Sequence, residues 1–185
     1  MGAIRKLTLS FEEYLALEEG SPERHELVEG IPYAMAGASK AHNLLVGNLA
    51  FLLRPAVRSR SCRLYTETIR LRLSEDTVYY PDLMVVCRPS PNPFYEDSPC
   101  LGVEVLSPTT RRIDLSEKKE RYLALPSLEG YLLVETTRKE VLLYRKTPLG
   151  WSLEAFGEGE EVALPCLGEA LSVDAVYEGV PLEVE

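Results

Sequence analysis

Glutamine is missing from this 185-residue sequence, and asparagine occurs only at Asn43, Asn48 and Asn92. A shortage of thermolabile amides, with prolines gathered in the expected loops, points toward a thermophilic source. Close cysteine pairs are also missing. Cys62, Cys87, Cys100 and Cys166 are spread along the chain, which excludes a zinc knuckle and a redox CxxC motif. Each sits in or beside an apolar segment, so the expectation is four free thiols acting as small hydrophobes in a reducing compartment. No apolar run approaches the ~20 residues needed to cross a bilayer. The start, Met1 to Leu7, has basic residues but no apolar leader core. A cytoplasmic protein is expected.

Positive charge is in deficit. The net charge of −9 argues against a non-specific nucleic-acid coat, which needs a basic surface to release counterions. It leaves room for an enzyme that concentrates acids locally. No repeat or low-complexity linker breaks the chain, so a single domain over residues 1–185 is expected. Hydrophobic residues make up 45%, enough for a core.

What is present reads as alternating helix and strand signals. Ser10-Phe11-Glu12-Glu13 is a capping box, and the apolar positions behind it predict a helix from Phe11 to Glu18. His25 to Met35 reads as a hairpin around Glu29-Gly30. From Ser39 to Val57, Leu45, Leu49, Leu52, Leu53 and Ala56 recur at helical spacing, with Gly47 expected to allow close packing on a sheet. Ile69, Leu71 and Leu73 alternate with Thr68, Arg70 and Arg72, predicting a strand with one wet, basic face. Arg88 to Pro99 holds four prolines and reads as a loop. Tyr131–Glu135, Val141–Tyr144 and Trp151–Phe156 read as further strands, and Leu171–Tyr177 as about one helical turn.

The chemistry lies between Tyr80 and Lys118. Pro81 keeps the chain extended ahead of Asp82, which opens the apolar run Leu83-Met84-Val85-Val86. Glu104 stands in Leu101-Gly102-Val103-Glu104-Val105-Leu106, and alternation sends it, with Gly102 and Leu106, away from the valines. A carboxylate in such a strand needs a cation or a hydrogen-bond network. It therefore either faces a metal or pairs with Arg70 or Arg72 across the sheet. On the helix beginning near Asp114, Lys118 shares a face with Leu115, Tyr122 and Leu125. Lys119 competes with it for the inward position. Two carboxylates and a lysine suit a magnesium or manganese site for phosphodiester chemistry.

These residues carry a resemblance. Glu26-Leu27-Val28-Glu29-Gly30, His42, Pro81-Asp82, the run from Val103 through Glu104 to Thr110, Asp114, Lys118 and Tyr122 resemble the Uma-type family of restriction endonucleases, within the PD-(D/E)XK nuclease superfamily. The similarity spans about residues 24–145. It implies an α/β (α+β) fold: a restriction-endonuclease-like mixed β-sheet flanked by helices, with an additional antiparallel β-hairpin. It implies DNA as substrate and Mg²⁺ (or Mn²⁺) as cofactor, with a homodimer or higher homo-oligomer by analogy. Asp82, Glu104 and the Val105 carbonyl would bind the metal, with Glu26 as an additional acid and Lys118 as the catalytic lysine. Arg70, Arg72 and His42 are the substrate-binding candidates. Leu106 stands where the superfamily pattern puts its lysine, so the resemblance implies a lysine moved to the helix. The alternative is a degenerate nuclease-fold module that binds DNA or a protein partner without turnover.

Overall fold

The computed structural model describes residues 8–184. The leaderless reading of Met1 to Leu7 lies outside them. Helix α1 (Phe11–Gly20) starts at the expected capping box, with Ser10 Oγ accepting from Glu13 N and Glu13 returning a bond to Ser10 N. The hairpin β1 (His25–Val28) and β2 (Ile31–Ala34) turns at Glu29 and Gly30. Both turn residues are left-handed, φ 51° and 78°, the geometry of a two-residue hairpin that matches strand twist. A Cβ on Gly30 would meet Thr8 Cβ at 2.6 Å, so only glycine fits.

Helix α2 (Lys40–Ser59) buries Leu45, Leu49, Leu53 and Ala56, as the spacing predicts. Gly47 is a correction: it is exposed and nothing lies within 4 Å of where its Cβ would be, so it does not mediate sheet packing. Strands β3 (Arg63–Thr66), β4 (Arg70–Arg72), β5 (Val78–Tyr79), β6 (Leu83–Val86), β7 (Tyr95–Glu96) and β8 (Leu101–Leu106) follow. Then α3 (Arg111–Ile113), a π-helical turn (Asp114–Lys118) and α4 (Lys119–Leu123) run on as one helix. Strands β9 (Gly130–Glu135), β10 (Val141–Thr147) and β11 (Gly150–Phe156), the small hairpin β12 (Glu161–Ala163) and β13 (Ala170–Ser172), and α5 (Val173–Val176) complete the described chain.

The main sheet runs β11-β10-β9-β8-β6-β3 and is mixed, since β8 is parallel to β9 and antiparallel to β6. A second sheet runs β2-β1-β5-β4-β7. One face of the main sheet, with Val103, Val105, Leu132 and Val134, packs against Leu45, Leu49 and Leu53 of α2 and Val173 and Val176 of α5. The other face carries Met84, Leu106, Tyr131 and Leu133, which pack with Tyr122 of α4. The strand with a basic face forms as predicted, but the face is not open. Helix α1 lies over it: Arg72 sits 4.1 Å from the Phe11 ring centroid, and Arg70 lies over the Tyr14 and Tyr80 rings. The cysteines are also corrected. They form two disulfides, Cys62–Cys87 and Cys100–Cys166, with no free thiol among the described residues.

Candidate metal centre

Three neighbouring elements deliver the site. Asp82 immediately precedes β6, and the antiparallel register Leu83↔Val103 brings it alongside Glu104 and Val105. Its Oδ2 accepts the Val105 backbone N–H at 2.7 Å. Glu104 points as alternation requires, on the face of β8 opposite the valine core. There it accepts the Tyr122 hydroxyl at 2.9 Å. Gly102, two residues earlier on that face, leaves space for Tyr122: a Cβ would come within 2.8 Å of the ring.

Lys118 arrives from the π-turn. Its ammonium lies 3.0 Å from Glu26 Oε1 and 3.6 Å from both Glu104 Oε1 and Asp114 Oδ1. The wider turn keeps Asp114 and Lys118 both inward, and Tyr122 follows on the same side. Such turns inserted in a helix are frequent at functional sites. Lys119 is the outward lysine, over the Tyr144 ring. A row of stacked tyrosines floors the cluster: Tyr79 on Tyr122, Tyr122 on Tyr131, and Tyr131 on Tyr144.

The electrostatics follow from burial and from the imbalance of charge. Three carboxylates, Glu26, Glu104 and Asp114, surround the Lys118 ammonium, and Asp82 adds a further negative charge beside Glu104. Burial drives the Glu104 carboxyl well above its usual range. Lys118 opposes that shift, and the other three carboxylates reinforce it. Asp114 is raised for the same first reason, burial, again against Lys118. For Lys118, burial works against the charge but is outweighed by Glu104, Glu26 and Asp114, so its pKa is pushed well up. It is an ammonium at any physiological pH.

On the other side of Asp82, His42 Nε2 lies 3.1 Å from Asp82 Oδ2. Burial lowers the imidazole pKa, but the bond to Asp82 and its charge prevail, and the net shift is upward. His42, Glu67 and Asp82 offer ligand atoms within 4.8 Å of one another and could hold a metal ion. His42 Nδ1 is buried with no hydrogen-bond partner among the described residues. The donor set thus fits a cation: acceptor oxygens outnumber positive charges, and a ring nitrogen has no bond of its own.

The structure therefore brings Glu26, His42, Asp82, Glu104, the Val105 backbone and Lys118 together. It does not bring in Arg70 and Arg72. Arg72 pairs with Glu75 at 2.6 Å and Arg70 approaches Glu18 at 3.8 Å, so neither supplies the cross-sheet partner considered for Glu104. Sequence reasoning missed Glu67 as a site residue. It lies in the turn after β3 at φ 43°, with its N–H on the Asp82 carbonyl, and no periodicity marks such a position. Tyr122 had a visible signal, its helical spacing from Lys118. A recess of about 370 Å³ opens just beyond Glu104 along β8, lined by Leu106, Ser107, Pro108, Arg111, Glu135 and Thr136 among others.

Comparison with known proteins gives a consistent picture. The Uma2 family, described as "Putative restriction endonuclease", matches residues 11–176. Two uncharacterized proteins of Synechocystis sp. are similar over most of their length. One, slr1290, is 34% identical over 93% of this chain and 93% of its own. The other, sll1609, is 33% identical over 83% of this chain and 91% of its own. Among solved structures, a "putative nuclease belonging to DUF820" from Anabaena variabilis superposes with a TM-score of 0.69 at 19% identity, covering 92% of this chain and 98% of that one. That likeness shows a shared fold, the mixed sheet flanked by helices that the sequence implies. With its matching stretch running from α1 to α5, the chain belongs to the Uma2 family.

Proposed function

We propose that this protein is a metal-dependent endonuclease that hydrolyses phosphodiester bonds of DNA. The observation that carries the reading is the convergence of Asp82, Glu104 and Lys118 from a loop–strand junction, a strand and a π-turn onto one partly buried point. Asp82, Glu104 and the Val105 carbonyl are the residues that would hold Mg²⁺ or Mn²⁺, with His42 and Glu67 on the far side of Asp82. When bound, such an ion lowers the pKa of its water and stabilises charge on the phosphate.

The chain's own groups do the rest. Lys118, held protonated, orients an attacking water or offers charge to the phosphate. Glu26 accepts from both Lys118 and the Tyr80 backbone N–H, so its role is to hold the lysine more than to bind the metal directly. Tyr122 fixes one Glu104 oxygen and leaves the other for the ion. His42 holds the outer side of Asp82. The recess beside β8, with Arg111, is a better route for the substrate backbone than the covered Arg70 and Arg72. A single domain acting as a homodimer in the cytoplasm completes the proposal.

The second reading, a nuclease-fold module without turnover, is motivated by Leu106 standing at the usual lysine position. Plasmid, single-stranded DNA and RNA substrates incubated with Mg²⁺ or Mn²⁺ decide between them. Cleavage by the wild type that is lost in Asp82→Ala and Glu104→Ala supports the enzyme. Cleavage that survives both substitutions removes the site, and binding without cleavage favours the module.

A further inference from the structure

The four cysteines form one continuous sulfur cluster. Cys62 follows α2, Cys87 follows β6, Cys100 precedes β8, and Cys166 lies in the turn between β12 and β13. The disulfides Cys62–Cys87 and Cys100–Cys166 lie side by side, with Cys87 Sγ 3.7 Å from Cys100 Sγ, which is van der Waals contact. The two sulfurs in contact differ most in exposure. Cys87 is exposed, Cys62 and Cys166 are partly buried, and Cys100 is buried at 7%. The cluster occupies the ends of β6 and β8 away from Asp82, roughly 16 Å distant at ~3.3 Å per strand residue.

We propose that this cluster is a redox site that accepts an electron pair from a dithiol at Cys62–Cys87 and passes it inward by disulfide exchange. The dithiol reduces Cys62–Cys87 to two thiols and leaves as its own disulfide. The Cys87 thiolate then attacks Cys100 Sγ, the Cys100–Cys166 bond breaks, and Cys166 departs as a thiolate that takes up a proton. The balance is two disulfides plus two electrons and two protons, giving one disulfide, Cys87–Cys100, and the thiols of Cys62 and Cys166. Exchange proceeds through thiolate attack on a disulfide sulfur, and contact between the two central sulfurs places the attacking atom within reach. The product moves the cross-link onto the β6–β8 strand pair and frees the start of β3 and the β12–β13 turn.

Partial reduction of the full chain with about one equivalent of dithiothreitol tests this, followed by acid quench, alkylation and peptide mapping. The expected product carries a Cys87–Cys100 linkage with Cys62 and Cys166 alkylated together. Alkylation only in the original pairs, Cys62 with Cys87 or Cys100 with Cys166, would overturn the exchange. So would linkages such as Cys62–Cys166, which arise by scrambling on unfolding. Cys62→Ser gives a second readout without reductant: label appears on Cys166 as well as Cys87 if exchange occurs, and on Cys87 alone if it does not.

Discussion

The two faces of β8 contrast sharply although their residues alternate along one strand. Val103 and Val105 enter an aliphatic core with α2 and α5, where any well-packed apolar neighbour would serve. Gly102, Glu104 and Leu106 face stacked tyrosines, a lysine and three further carboxylates. The aliphatic face stabilises by removing surface from water, at roughly 25 cal/mol per Å². The other face buries charges that cost several kcal/mol each unless paired, and there three carboxylates share one ammonium while Asp82 pairs with His42. A stability-driven strand would have repeated the first face; the second is the face we propose holds a cation.

Substitutions can separate the two faces. The largest effect is expected from Asp82→Ala or Glu104→Ala, which should lower cleavage by ~1000-fold, about 4 kcal/mol of transition-state stabilisation, while circular dichroism stays native. Lys118 keeps Glu26 and Asp114 when Glu104 is removed, so the fold has no new unpaired charge. On the opposite face, Leu132→Ala should cost about 2–5 kcal/mol in denaturant unfolding while the folded fraction keeps its activity. Gly102→Ala sharpens the contrast: its Cβ forces the Tyr122 ring to shift, costing about 1–3 kcal/mol and also lowering activity through Glu104.

The smallest effect is one of pH. Burial first, then neighbouring carboxylates, hold the folded Glu104 pKa above 4.5 despite Lys118. The native state therefore keeps a proton that the unfolded chain has lost, and stability falls as pH rises from 4.5 through the folded value. In metal-free buffer, Glu104→Gln should flatten that slope; an unchanged slope would place the titration elsewhere.

Much of this was legible in the sequence because it depended on short-range rules. Alternation gave Glu104 its direction, Pro81 gave Asp82 its place before a strand, the capping box gave α1 its start, and apolar spacing gave α2. What failed depended on packing between distant segments. Alternation turned Arg70 and Arg72 outward correctly but could not reveal that α1 covers them. The disulfides span 25 and 66 residues: the β3–β6 pairing sets Cys62 beside Cys87, and the turn between β12 and β13 carries Cys166 to Cys100. Helical spacing placed Lys118 inward, and Asp114 four residues earlier shares that face; the π-turn between them has no periodic signature. Glu67 was invisible because a left-handed turn, not a pattern, aims it.

The claim that the Glu104 face of β8 is built for a divalent cation is tested most directly by calorimetric titration of metal-free protein with Mn²⁺ and Mg²⁺. The account predicts saturable binding in wild type that disappears in both Asp82→Ala and Glu104→Ala. An absence of binding at millimolar metal, or equal binding in wild type and both variants, would contradict it.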